Sequence, residues 1–227
     1  MKPIIWIEGI IGAGKTTISK QLARKLNFRP LLEPVASNPY LELYYKEPKR
    51  WAFPMQIDLL MRRYSMQKLA SYESISDSNF NGVVLDRGLP GDRVFAKLHF
   101  LAGNISPLEW QTYERAFTIM TSDLRPPSLL IYLDVDPRIA KARSEERDRK
   151  EEDGIPLSYY KKLQKGYLDV LAEIETGKNI WSGIEVFKIG WNSDHLPLEE
   201  IIAEIKRRFA IEPVPRKLRS LDSYFNQ

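Results

Sequence analysis

The chain has 227 residues, 43% of them hydrophobic, a formal net charge of +4 and no cysteine. That size and apolar content suit one core and one domain, and the missing cysteine excludes disulfides, thiolate zinc sites and cysteine nucleophiles. The lack of any run of about 18 uncharged apolar residues argues against a membrane span, and so small a charge does not argue for a nucleic-acid groove. From the N-terminus the chain enters a strand directly, leaving no room for a signal peptide. A cytoplasmic protein is expected. His99 and His195 stand far apart without metal-ligand spacing, and both read as surface or satisfied structural residues.

In chain order, the first apolar run predicts a strand over Ile4–Glu8. It leads into Gly9-Ile10-Ile11-Gly12-Ala13-Gly14-Lys15-Thr16, followed by a helix-like segment, Thr17 to Leu26. This is the G-x-x-x-x-G-K-[ST] pattern in the strand–loop–helix context that gives it meaning. A second strand is expected over Pro30–Glu33 and a long helix from about Trp51 to Ser74, where Leu59, Leu60, Tyr64 and Leu69 recur at helical spacing. A strand at Gly82–Asp86 follows, then helices over Gly91–Leu101 and Pro107–Ser122. Pro126-Pro127 marks the entry to a strand at Leu129–Leu133. The remaining expectations are helices over Pro137–Arg149 and Pro156–Glu175, a strand over Ile184–Ile189 and a helix over Pro197–Phe209. Beyond residue 210 periodicity fails, so residues 1–210 are expected to form the domain and 211–227 a loosely packed or disordered tail. Strands alternating with helices predict an α/β fold, a five-stranded parallel sheet flanked by helices.

The phosphate-loop motif implies a bound nucleoside triphosphate. Its glycines turn backbone N–H groups inward toward phosphate oxygens, and the following helix adds its positive end. Gly9, Gly12, Ala13, Gly14, Lys15, Thr16 and Thr17 are the expected ATP-binding residues; Lys15 reaches the β- and γ-phosphates and Thr16 helps hold Mg²⁺. In a doubly wound sheet, ligands sit at the carboxyl ends of the strands. Glu33 ends the second expected strand and Asp86-Arg87 the third, so all three share the rim with the phosphate loop. Glu33 by itself is a solvated or capping carboxylate; beside the loop and Asp86-Arg87 it becomes a base for an acceptor hydroxyl. Asp86 is expected at Mg²⁺, directly or through water, and Arg87 on the transferring phosphoryl group. Arg143, Arg147 and Lys150 recur at helical spacing, with Arg149 in the same basic–acidic stretch. This stretch is either a solvated helix laced with ion pairs, such as Glu145–Arg149 and Glu146–Lys150, or an Arg-rich lid over the phosphates. Following the fourth strand of such a protein, the lid is preferred.

These residues together resemble the deoxynucleoside kinase family, P-loop kinases that phosphorylate the 5′-hydroxyl of deoxynucleosides. The resemblance runs from Ile4 to about Tyr167 and rests on the phosphate loop, Glu33-Pro34-Val35, the block from Leu41 to Gln56, Asp86-Arg87 and the basic stretch followed by Ile155-Pro156-Leu157. It implies Glu33 as base on the 5′-hydroxyl, with Arg87 beside it. Tyr45 and Glu152 would hold the 3′-hydroxyl, and Gln56 would read the base edge. It also implies an Arg63–Asp92 pair that accompanies purine or deoxycytidine use, although the same pair reads equally as a structural ion pair. Where relatives place aromatic residues around the base, this chain has Asn38, Met55 and Ala96, with Phe95 one residue out of register; Gly88 replaces a serine. The implied reaction uses ATP and Mg²⁺, takes a deoxynucleoside (purine preferred, deoxycytidine second), and is run by a homodimer touching near Met61 and Trp110, with feedback by the end-product triphosphate.

Two rivals remain at this stage. A nucleoside monophosphate kinase of the thymidylate type shares the loop, the Asp-Arg pair and the lid, but needs cations for the acceptor phosphate; Leu32 stands where an arginine is expected. A non-catalytic scaffold has no need of Lys15, Thr16, Glu33, Asp86 and Arg87 together.

Overall fold

The computed structural model describes residues 1–32, 38–76, 79–147, 154–178, 180–193 and 197–211. Five parallel strands form one sheet in the order β2-β3-β1-β4-β5. The strands are β1 (Ile4–Glu8), β2 (Phe28–Leu31), β3 (Gly82–Asp86), β4 (Leu129–Asp134) and β5 (Val186–Gly190). β1 is central, pairing with β3 through Ile5↔Val84 and with β4 through Ile7↔Ile131. All five of its residues are buried. A parallel sheet covered on both faces favours such unbroken apolar runs over alternation.

Helices α1 (Lys15–Leu26), α2 (Leu41–Lys46), α3 (Pro48–Ile75), α4 (Leu89–Leu101), α5 (Pro107–Thr121), α6 (Pro137–Glu146), α7 (Leu157–Glu175) and α8 (Leu198–Arg208) flank the sheet. α1 packs on β1, β2 and β3 and carries α8 against it; α3 packs on β1 and β3 and supports α4 and α5. The expected α/β architecture is therefore present, with differences at particular ends. β2 begins two residues earlier than expected because Asn27, in the left-handed conformation at φ 54°, closes α1 and turns the chain straight into Phe28. Asn27 Nδ2 fixes that turn by donating to Asn79 O at 2.6 Å. α3 begins at Pro48 rather than Trp51, since proline in a helix's first turn gives up only an N–H that has no intrahelical partner there. The short α2 was not expected. Its six residues bury no side chain, so no apolar period marks it.

The core is anchored by Trp6, fully buried, which meets Trp181 edge-on at 5.1 Å and donates its indole N–H to Gln67 Oε1 at 2.8 Å. Gly88 follows from that placement: a Cβ there would lie 2.5 Å from the Trp6 ring. The carboxyl ends of β1, β3 and β4 bring Glu8, Asp86 and Asp134 to one rim. Among the described residues, no helix is long and apolar enough to cross a membrane. Glu33, Arg149, Lys150, Glu152, His195 and the tail residues 212–227 lie outside the described residues.

Candidate active site

The phosphate loop joins β1 to α1 and takes its shape from its glycines. Gly12 and Gly14 adopt φ of 74° and 82°, where a side chain is strained. They are also crowded: a Cβ on Gly12 would sit 1.9 Å from Ala140 O, and one on Gly14 would sit 1.9 Å from Cζ3 of Trp191. α6 and the residue after β5 therefore press on the outside of the loop. Gly14, as N-cap of α1, supplies no capping side chain, and no acidic residue occupies the first turn. The positive helix end is left to an anion. Lys15 is buried and donates from Nζ to Ile10 O at 2.9 Å. Thr16 Oγ1 donates to Asp86 Oδ2, joining loop and β3.

A cavity of about 750 Å³ opens from this loop. One end is formed by Gly12, Gly14, Lys15, Thr16 and Thr17, the other by residues of α3 and α4. Of the expected substrate residues, Tyr45, Gln56, Arg63 and Arg87 line it, as do Asp86 and Arg147. Gln56 is 1% exposed, and its Oε1 has no hydrogen-bond partner among the described residues. A buried amide oxygen left unsatisfied costs about 1–3 kcal/mol, so the wall contains an acceptor suited to a ligand's N–H. Arg63 pairs with Asp92, and the Tyr113 hydroxyl donates to the other carboxylate oxygen of Asp92. Arg63 faces the cavity while Asp92, fully buried, is not among its lining residues. The pair is an ion pair with its cation in the cavity wall. Burial, reinforced by Asp92, pushes the Tyr113 phenol well above its usual range.

Other placements differ from expectation. Arg143 does not line the cavity; its guanidinium lies 4.4 Å from the Trp191 ring centre and donates to Trp191 O and Ser193 O. Glu145, expected to pair with Arg149, is bonded to Lys141 one turn before it. Phe95, rather than Ala96, reaches the cavity, with the Arg87 guanidinium 4.7 Å over its ring. Ala96 is in the core. Asn38 is spent on backbone, donating to Met55 O at 3.3 Å and accepting from Tyr40 N at 2.8 Å. The surface reading of His99 is corrected: it is 4% exposed, lines the cavity and meets the Tyr44 ring at 5.0 Å. Burial lowers its imidazole from 6.5 to about 4, so it is neutral at physiological pH. Tyr44 and Tyr159, also in the wall, have phenols raised chiefly by burial.

Glu8 was missed altogether. It is fully buried at the end of β1, directly before Gly9, and accepts hydrogen bonds from Gly88, Gly91 and Tyr167. Its signal in the sequence is a lone acid ending an otherwise apolar central strand.

Residues 5–209 match the deoxynucleoside kinase family. The chain belongs to that family. Its relatives include the deoxyguanosine kinase of Dictyostelium discoideum, 38% identical over 84% of this chain and 64% of the relative. The chain thus spans a little less than two thirds of that protein's length. The deoxyadenosine kinase of the same organism is 33% identical over 90% of this chain and 78% of its own. The deoxyadenosine/deoxycytidine kinase of Bacillus subtilis (strain 168) is 36% identical over 72% and 74% respectively. Among solved structures, deoxyadenosine kinase from M. mycoides with bound dATP superposes with a TM-score of 0.75, at 30% identity over 90% of this chain and 99% of that one. The P-loop kinase fold and the family are those expected, and neither rival is favoured.

Proposed function

We propose that this protein transfers the terminal phosphoryl group of ATP to the 5′-hydroxyl of a deoxynucleoside, with purine deoxynucleosides preferred and deoxycytidine second. The observation that carries this reading is the single cavity running from the phosphate loop to the buried, unsatisfied Gln56 amide. Donor phosphates belong at the loop, where glycine N–H groups, the α1 terminus and Lys15 converge. The Lys15 bond to Ile10 O is one that a phosphate oxygen can replace. At the far end, Gln56 offers a donor and an acceptor on one amide, which matches paired groups on a base edge. Arg63 adds donors beside it. The relatives named for deoxyguanosine and deoxyadenosine support a purine.

Between the two ends, Tyr45 lines the cavity where the sugar must lie, and Glu152 is assigned with it to the 3′-hydroxyl. Glu33, next after Leu32 beyond β2, takes the proton of the 5′-hydroxyl as that oxygen attacks. Arg87, on the rim and in the wall, stabilises negative charge on the transferring group. Arg147 contributes from the end of α6, with Arg149 beyond it, and Arg143 supports the P-loop side through Trp191. Thr16 and Asp86 present hydroxyl and carboxylate oxygens to each other, a hard-donor pair that fits Mg²⁺. Bound there, Mg²⁺ would neutralise phosphate charge.

The monophosphate-kinase rival needs spare cations at the acceptor end, but Arg63 is already paired with Asp92. We further assign a homodimer, supported by exposed apolar side chains on α3 (Met61, Tyr72, Ile75) and α5 (Leu108, Ile119), and a cytoplasmic salvage role. Trp110, expected near that face, is stacked on Phe100 and Tyr113. A panel of the four deoxynucleosides and the ribonucleosides with ATP tests the substrate. Deoxyadenosine and deoxyguanosine should exceed thymidine in kcat/KM by at least about tenfold; a thymidine preference would contradict the assignment. Glu33→Gln should abolish most turnover while leaving nucleoside binding in place.

A further inference from the structure

Arg87 is held in an unusual way. Its φ is 81°, one of two left-handed non-glycine residues among those described, a conformation costing roughly 1–2 kcal/mol for an L-residue. What holds it there lies on three different elements. Its own N–H donates to Ile7 O at 3.0 Å. The next N–H, of Gly88, donates to Glu8 Oε1 at 2.9 Å, and Gly91 N donates to the same oxygen at 3.2 Å. Gly88 is the N-cap of α4 and offers no capping side chain. Glu8 therefore caps α4 from the neighbouring strand, at the helix end that favours negative charge.

The other carboxylate oxygen reaches the Arg87 side chain. Tyr167 OH donates to Glu8 Oε2 at 3.0 Å and accepts from Arg87 Nη1. The donor–acceptor order is consistent along the chain: guanidinium to phenol, phenol to carboxylate. Two glycines make room for it. A Cβ on Gly91 would lie 2.5 Å from Tyr167 OH and 2.7 Å from Glu8 Oε2, and one on Gly166 would lie 2.8 Å from Val94, spreading α7 from α4. All three polar residues are at most 4% exposed. A guanidinium bonded on one edge by Tyr167 and lying over Phe95 is fixed in plane in the wall of the cavity it lines.

We propose that Glu8 and Tyr167 are positioning residues for Arg87, a relay that ties the start of the phosphate loop to the cation acting on the transferring group. It rests on the assignment of Arg87 to that role. Neither residue touches substrate; they act by keeping Arg87 where the charge develops, so their loss should lower kcat and spare KM.

The test is a double-mutant cycle with kcat and both KM values measured for each form, and folding checked by thermal unfolding. Tyr167→Phe removes one hydroxyl and keeps the ring packed on Tyr132. Alone it should lower kcat by between about tenfold and a hundredfold, with KM for ATP and deoxynucleoside changed less than about twofold. In an Arg87→Ala background the same change should have no further effect on kcat. Glu8→Gln, which keeps the side chain's size, should behave alike and carries the test if Tyr167→Phe does not fold. If Arg87→Ala itself leaves kcat unchanged, the role of Arg87 and the relay fall together. If Arg87→Ala lowers kcat but Tyr167→Phe does not, or lowers it equally in both backgrounds, the relay alone is overturned.

Discussion

His99 should make the protein acid-labile by an amount the structure sets. The imidazole is buried in the cavity wall against Tyr44, and burial lowers it from 6.5 to about 4. The unfolded chain therefore takes up a proton near pH 6.5 that the folded chain refuses until about pH 4. Stability from this group is fully present above pH 6.5 and is lost as pH falls, reaching about 3 kcal/mol below both values and about 2 kcal/mol at pH 5. His99→Phe fills the site with an apolar ring and removes the titration, whatever its constant effect on stability. Urea unfolding of both forms at pH 7.5 and pH 5 gives the comparison, because the carboxylates common to both cancel in the difference. The gap between wild type and variant should shift by about 2 kcal/mol in favour of the variant at pH 5. Parallel pH–stability curves for the two proteins would refute the reasoning.

The Arg63–Asp92–Tyr113 group makes a graded prediction: Asp92→Ala breaks a buried ion pair and should cost about 3–5 kcal/mol, Tyr113→Phe only about 1–2 kcal/mol, in chemical unfolding. In variants that fold, Asp92→Ala should also relax purine preference toward thymidine, through a displaced Arg63. An unchanged substrate panel would remove Asp92 from base selection. Gln56→Leu should raise the KM for the deoxynucleoside by about ten- to a hundredfold while relieving an unsatisfied buried oxygen, so the protein should be no less stable. Gly88→Ala should destabilise by about 1–3 kcal/mol through contact with Trp6, since its backbone is otherwise open to alanine; a neutral outcome by thermal unfolding would show that the indole gives way.

The three inner strands β1, β3 and β4 were legible because a sheet covered on both faces turns them into buried, largely apolar runs. The edge strands β2 and β5 carry Arg29 and Lys188 and were read with shifted starts. The phosphate loop was legible because its function is written in consecutive residues. Asp86 and Arg87 were legible because strand ends share a rim and Arg147 through helical spacing, whereas Tyr45, Gln56 and Arg63 came only from the family resemblance; one cavity brings all six together. What stayed hidden depends on partners distant in the chain. Arg143 looked like a phosphate ligand from helical spacing, but its ring partner is 48 residues away. Glu8 meets Tyr167 across 159 residues, and nothing local separates it from an ordinary strand terminus. Phe95 reaches the cavity where the resemblance to relatives pointed to Ala96, because helix rotation is set by how α4 packs on α3 and α7. His99 carried no ligand pattern, and only its place in the wall distinguishes it.

The acceptor is the claim on which the rest stands, and it can be read directly from product. With ATP in excess, deoxyguanosine and deoxyadenosine should each yield the 5′-monophosphate together with ADP, while dGMP and dAMP should be left unconverted. Turnover of the monophosphates at rates matching or exceeding those of the nucleosides would contradict the account and restore the monophosphate-kinase reading.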